Sequence, residues 1–241
     1  MGRILFYRAG TTEACRYAQA ALSAEGILFE DAPGASVTDV LLDVPSFLKD
    51  GILRSGEDFE KLRNSLSPSA HFWGGKLPES LNGTDLLENP CYLTENAGIT
   101  ADCALRLASP MLQKTWQDSR ILVIGWGRIG KQLAKLLKAL GASVSVCARS
   151  APDRALLQGF GYEAKKPEGL DANGFDILFN TAPATVLEED AFRGCPVPID
   201  LSSIEALPGS RVIRARGLPG IHAPITSGSL IAKTILKSIR R

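Results

Sequence analysis

The sequence predicts an α/β chain of two parallel-sheet lobes, joined by a long bridging helix and a returning C-terminal helix. Apolar runs of strand length alternate with helix-length amphipathic stretches, the pattern of parallel strands with crossover helices. One glycine-rich turn, Gly125, Gly127 and Gly130 in G-x-G-x-x-G spacing, joins such a strand to such a helix near the middle of the 241 residues. The segment before it has the same alternation without a phosphate loop. The expected boundaries are 1–99 plus the helix 227–241 for a substrate-side lobe, 100–118 for the bridging helix, and 119–226 for a Rossmann dinucleotide-binding domain.

In chain order, Arg3–Tyr7 reads as a strand, and Thr12 as the cap of a helix over Glu13–Glu25 that Gly26 stops. Ile27–Glu30 and Val40–Val44 read as strands around a Pro-Gly loop. Gly56–Leu66 reads as a helix and Ala70–Trp73 as a fourth strand. The Asn89-Pro90 and Asn96-Ala97-Gly98 clusters read as loop, so the bridging helix is expected from Thr100, as N-cap, to about Trp116. Beyond it come the strand Ile121–Ile124, a helix with Leu133, Leu136, Leu137 and Leu140 on one face, and the strand Ala142–Ala148. A weak helix near Asp153–Phe160 follows, then strands at Asp176–Asn180, Val197–Leu201 and Arg211–Ala215. Gly217-Leu218-Pro219-Gly220 reads as a turn before the closing helix Ser227–Ile239.

Each glycine of the central motif has a physical task. Gly125 permits the tight turn out of the strand, Gly127 lets a pyrophosphate approach the backbone, and Gly130 allows close helix–strand packing. Arg128, Ile129 and Gly130 open the helix, whose unpaired N–H groups and positive dipole end suit phosphate. An NAD site wants Asp or Glu about 20 residues on. Here the next strand ends in Cys147-Ala148-Arg149-Ser150, without a carboxylate. A guanidinium with an adjacent hydroxyl suits a ribose 2′-phosphate, so NADP is expected as cofactor. If Arg149 only stacks on adenine, NAD is possible.

Composition excludes several classes. The formal net charge of +1 gives no global field for nucleic acid or an anionic membrane. No apolar run reaches the length of a membrane span, and the N-terminus lacks a signal-peptide layout. Cys15, Cys91, Cys103, Cys147 and Cys195 are odd in number and include no C-x-x-C pair, which points to free thiols in a reducing cytoplasm and to no structural zinc.

Ligands of open α/β sheets lie beyond the carboxyl ends of the strands. Asn180, Thr181 and Pro183 end one strand, and Ser202 and Ser203 follow the next, where a nicotinamide ring would rest. Asn96, Thr100 and Asp102 fall at the expected start of the bridging helix, where a substrate carboxylate could be held. Asp102 and Glu95 are candidate bases, although a carboxylate at a helix start is ordinarily a capping charge. His222 is a conceivable acid/base group and His71 reads as core or edge.

Together these motifs resemble the family of A-type subunits of dipicolinate synthase. The resemblance is carried by Asn96-x-x-x-Thr100-Ala101-Asp102, Ile124-Gly125-Trp126-Gly127-Arg128-Ile129-Gly130, Ala148-Arg149, Phe179-Asn180-Thr181-Ala182-Pro183, Ile199-Asp200-Leu201-Ser202-Ser203, and Gly217-Leu218-Pro219-Gly220-x-x-Ala223-Pro224-x-Thr226-x-Gly228. The chain departs from the family pattern at Asp102-Cys103, at Ile204–Gly209 and at Ile221-His222. The resemblance implies NADP-linked oxidation of dihydrodipicolinate to pyridine-2,6-dicarboxylate, in the cytoplasm of the mother cell of a sporulating bacterium, with the B-type subunit of dipicolinate synthase as partner in an oligomer. It implies that Asn96, Thr100, Asp102 and Thr226 face the dicarboxylate, with Asp102 as proton acceptor, and that Ser203 and Gly220 also contact substrate. Two other readings stay open: an NADP-dependent reductase of another small carboxylate, similar to shikimate dehydrogenase, and a nucleotide-binding accessory or regulatory subunit without activity of its own.

Overall fold

The computed structural model describes residues 4–48 and 50–240. The chain divides into two compact units, Met1–Asn96 with Pro219–Arg241, and Ala97–Leu218.

The first unit opens with β1 (Leu5–Arg8), α1 (Glu13–Ala24), β2 (Leu28–Glu30), β3 (Asp39–Leu41), α2 (Phe59–Ser65), β4 (His71–Gly74) and β5 (Gly83–Asp85). The strands form one parallel sheet in the order β2-β1-β3-β4-β5. Thr12 caps α1 by accepting the Cys15 N–H at 3.3 Å, and Asp58 caps α2 by accepting the Lys61 N–H at 3.0 Å. Val40, Leu42, Leu53, Leu62 and Phe72 form a buried core on one side of this sheet. Asp43, buried beyond β3, accepts the Thr11 and Thr12 N–H groups, each at 3.0 Å, and so fixes the turn that opens α1.

α3 (Pro90–Ala108) contains the boundary between the units. The second unit continues with β6 (Arg120–Ile124), α4 (Arg128–Ala139), β7 (Ser143–Cys147), α5 (Ala151–Gly159), β8 (Glu163–Lys165), β9 (Ile177–Asn180), β10 (Val197–Asp200) and β11 (Ile213–Arg214). All its strands are parallel, ordered β11-β10-β9-β6-β7-β8. The connection reverses direction at β6, the doubly wound arrangement whose switch point receives a dinucleotide. Ile121 to Ile124 are essentially without solvent contact, as a strand flanked on both sides and covered on both faces must be. α4 buries Leu133, Ala134 and Leu137.

The chain then forms α6 (Leu218–His222) and α7 (Pro224–Ile239). α7 packs along α1 within the first unit and buries Leu230, Ile231 and Ile235. The crossing is close because Gly228 lacks a side chain: a Cβ there would lie 2.6 Å from the Ala14 carbonyl oxygen and 2.7 Å from the Ala18 nitrogen. Among the described residues, no helix is long and apolar enough to cross a membrane.

Several expected boundaries are corrected. The bridging helix starts at Pro90, not Thr100, and ends at Ala108, followed by a 3-10 turn at Ser109–Met111. Asn89 is its cap, accepting the Cys91 and Tyr92 N–H groups at 2.9 and 3.1 Å, while Pro90 occupies the first helical position where no N–H is needed. The Gly-Leu-Pro-Gly turn is the start of α6, and β5 and β8 are additions to the expected strands. Arg3, the expected first strand residue, lies outside the described residues.

Candidate functional site

The carboxyl end of β6 runs straight into the glycine turn. Gly125 has φ +102°, a conformation that L side chains rarely adopt, and a Cβ there would sit 2.5 Å from the Thr181 hydroxyl oxygen. A Cβ on Gly130 would strike the Gly125 carbonyl, so α4 packs as near to β6 as backbone allows. Gly127 is different. Its φ of −81° is ordinary, and a Cβ added there meets no protein atom within 4 Å. Neither strain nor packing among the described residues requires glycine here, and the space in front of α4 is open.

Gly127 is also the N-cap of α4, and no side chain caps that helix. The first N–H groups, at Arg128, Ile129 and Gly130, therefore have no side-chain acceptor, although a helix start leaves four donors to satisfy. An uncapped helix start behind an open glycine fits a pyrophosphate. Thr181 locks the turn from the neighbouring strand by donating its hydroxyl to the Ile124 carbonyl at 2.9 Å. The nicotinamide-side role expected of Thr181 is thus accompanied by a structural one.

At the end of β7, Arg149 is exposed, and among the described residues its guanidinium makes no hydrogen bond or ion pair. Its backbone is held: Arg154 Nη1 donates to the Ala148 and Arg149 carbonyls at 2.9 and 2.6 Å. Arg154 was not legible as a site residue, because its role is to bond backbone across the turn. Ser150 caps α5 by accepting the Asp153 N–H at 3.3 Å, which leaves its own O–H able to donate.

Beyond β9 and β10 the expected residues are knitted around Asp200, which has no solvent exposure. Its Oδ1 accepts from Asn180 Nδ2 at 2.9 Å, from the Ser202 hydroxyl at 2.8 Å and from the Ser202 N–H at 3.1 Å. Its Oδ2 accepts from the Ala206 N–H at 2.9 Å, the Leu207 N–H at 3.4 Å and Arg214 Nη1 at 3.3 Å. Burial pushes the Asp200 pKa up, but the bonds from Ala206, Ser202 and Asn180 outweigh it, and the carboxyl is held below its ordinary value. Asn180 and Ser202 are both buried and bonded into this network, whereas Pro183 and Ser203 are exposed in the loops above it. The sequence placed Asp200 in a motif but gave it no role of its own, and it did not disclose Arg214 and Arg216 beside it. Their partners lie across three strand ends and a loop, at no fixed sequence spacing.

Asn96, Thr100 and Asp102 lie in the body of α3, not at a helix start, so no helix N-terminus stands behind them to hold a carboxylate, which corrects the expected basis for a site there. Asn96 and Thr100 are one helical turn apart. Asp102 is ion-paired with Arg106, four residues on, at 2.7 Å. Gly220 lies in α6, and Thr226 is exposed in the first turn of α7. Among the described residues, no group of three or more His, Cys, Asp or Glu side chains could hold a metal ion. Cys15, Cys103, Cys147 and Cys195 are buried and Cys91 is exposed; burial pushes the Cys147 and Cys195 thiols up to about 11.

Residues 102–192 match the D-isomer specific 2-hydroxyacid dehydrogenase NAD-binding domain. The A-type subunit of dipicolinate synthase from Bacillus subtilis (strain 168) is 28% identical over 165 residues, a match spanning 63% of this chain and 56% of that protein. In fold, the chain superposes on the corresponding dipicolinate synthase subunit from Bacillus halodurans with a TM-score of 0.83 at 20% identity, covering 99% of both chains. It superposes on a transhydrogenase from Sinorhizobium meliloti with a TM-score of 0.68 at 13% identity, covering 98% of this chain and 93% of that one. The chain is a dehydrogenase-like α/β protein with a nicotinamide-dinucleotide domain, similar in sequence to the A-type subunit of dipicolinate synthase and built on its fold.

Proposed function

We propose that the chain binds NADP and oxidises dihydrodipicolinate to dipicolinate, working with a second subunit of the dipicolinate synthase B type. The observation that carries the dinucleotide part is the uncapped start of α4 behind Gly127, where the chain itself makes no use of the missing Cβ. The choice of NADP rests on the unpaired Arg149 guanidinium and the lack of a carboxylate at the end of β7. The substrate rests on the sequence similarity to the A-type subunit of dipicolinate synthase.

The dinucleotide, when bound, supplies the hydride acceptor. Gly127, Arg128, Ile129 and Gly130 would hold its pyrophosphate by main-chain N–H groups and the α4 dipole, while Gly125, whose own N–H donates to the Cys147 carbonyl at 2.9 Å, would turn the chain out of β6 to make room for it. Arg149 and the Ser150 O–H hold the ribose phosphate. Asn180, Thr181, Pro183 and Ser202 border the nicotinamide, and the Asp200 network keeps their loops in one arrangement, so little ordering remains at the moment of reaction. The substrate gives up a hydride and a proton. Asp102 is the proposed proton acceptor, with Asn96, Thr100, Ser203, Gly220 and Thr226 as proposed substrate contacts. The Asp102 carboxylate is engaged by the Arg106 guanidinium at 2.7 Å. That pairing favours, as a second reading, a nucleotide-binding accessory subunit inactive alone.

The test is nucleotide reduction at 340 nm by the purified chain, fed by a dihydrodipicolinate-generating enzyme, with NADP or NAD and with or without a B-type subunit. Turnover preferring NADP, with the preference lost in Arg149→Ala, supports the proposal. NADPH binding without turnover under every combination selects the accessory reading.

A further inference from the structure

Two guanidiniums converge on one carboxylate at the carboxyl edge of the second unit's sheet. Arg214 is the direct counter-ion of Asp200: its Nη1 bonds Oδ2 at 3.3 Å and the Leu207 carbonyl at 2.5 Å. Arg216 is held differently. Its Nη1 donates to the Asp200 main-chain carbonyl at 3.0 Å and its Nη2 to the Ile204 carbonyl at 2.5 Å. The Asp200 carboxylate comes no nearer to it than 3.7 Å, outside hydrogen-bond range, and already accepts from Asn180, Ser202, Ala206, Leu207 and Arg214. The cluster thus has a surplus positive charge, on side chains 30% and 38% exposed.

Two carbonyls fix the plane of the Arg216 guanidinium and leave it further N–H donors. A planar, permanently charged fork with its rotamer already set is suited to a carboxylate. Its location says which carboxylate. Arg214 lies opposite Asp200, Asp200 opposite Asn180, and Asn180 opposite Ile124, the last residue before the glycine turn. Arg216 follows Arg214 on that edge, on the β9–β10–β11 side of the turn, while Arg149 stands on the β7 side. In a doubly wound sheet the two halves of a dinucleotide lie on opposite sides of the switch point. With the ribose phosphate at Arg149, the other side receives the nicotinamide and what reacts with it.

We infer that Arg216 binds a carboxylate of the substrate with the N–H donors left over by its two carbonyl bonds, while Arg214 is the nearer counter-ion of Asp200, at 3.3 Å against 3.7 Å for Arg216. The inference rests on the reading of the chain as a dehydrogenase of a small carboxylate, but not on which carboxylate. Its test is calorimetric titration of the NADPH-loaded full chain with two probes, dipicolinate and oxamate, in the parent, Arg216→Gln and Arg216→Lys. Arg216→Gln is expected to weaken the bound probe about ten- to a hundredfold, the range for loss of a charged hydrogen-bond partner. Arg216→Lys keeps charge but not the fork and is expected to recover part of that loss. The NADPH Kd and Tm should stay close to the parent's in Arg216→Lys, which serves also if the Gln variant folds poorly.

Loss of dipicolinate binding in Arg216→Gln supports both readings. A parent that binds oxamate but not dipicolinate, with oxamate lost in the variant, keeps the role of Arg216 and rejects the dicarboxylate reading. Unchanged probe affinity in the variants, a parallel fall of NADPH affinity in Arg216→Lys, or a parent that binds neither probe overturns the inference.

Discussion

A carboxylate without solvent contact costs several kcal/mol to bury unless its lone pairs are filled and its charge is answered. Asp200 meets both conditions with donors from Asn180, Ser202, Ala206, Leu207 and Arg214. Removing the charge while leaving Arg214 in place should therefore cost about 3 kcal/mol at pH 7, the scale for breaking a buried pair. Because the folded pKa is depressed, this contribution is present above the unfolded value of about 3.9 and is lost as pH falls through the folded value. Urea unfolding of the parent and Asp200→Asn at pH 7 and near pH 3 should show the gap between them narrow on acidification. A gap of the same size at both pH values would mean the charge is not what Asp200 contributes. At this scale the glycine turn was legible because its three glycines stand at a fixed short spacing between an apolar strand and an amphipathic helix. Arg214 and Arg216 were not, since their partners come together only when β9, β10 and β11 align.

Helices and strands are legible in the sequence where the apolar pattern is strong, as in the amphipathic α4 and the continuous apolar runs of β6 and β9. They are hidden where packing decides. α3 shows why: Gly98 reads as a breaker, but an interior helical glycine costs only about 1 kcal/mol. The buried Tyr92, Ala97, Ala101, Ala104 and Ala108 on the same helix outweigh that. Asn89-Pro90, which has the look of loop punctuation, is a cap followed by proline at the first helical position. β5 and β8, three residues each, are too short to show a period. The α1–α7 crossing makes a sharper claim about an element. Since a Cβ at Gly228 would overlap the α1 backbone, Gly228→Val should force the helices apart and destabilise by about 1–3 kcal/mol or more. Thermal unfolding measures it, and a variant as stable as the parent would show that α7 can shift freely along α1.

For the whole molecule, the alternation of strand and helix sufficed to foresee two parallel-sheet units, and the glycine turn to identify which one takes the nucleotide. The first unit is built from residues on both sides of the second in sequence, Met1–Asn96 and Pro219–Arg241. A chain ending before Pro219 loses α7, and the α1 surface under Leu230, Ile231 and Ile235 is left uncovered. Such a truncation should make residues 4–96 sensitive to limited proteolysis while residues 97–218 stay protected and still bind NADPH. Equal protection of both segments would show that α7 is dispensable. The same arrangement sets an order of events on the ribosome. The sheet that emerges first must wait, with the α1 face exposed, while the whole nucleotide-binding unit is synthesised. It is completed only when α7, which follows the nucleotide-binding unit in sequence, leaves the exit tunnel, so of the two units the earlier to be translated is the later to be finished.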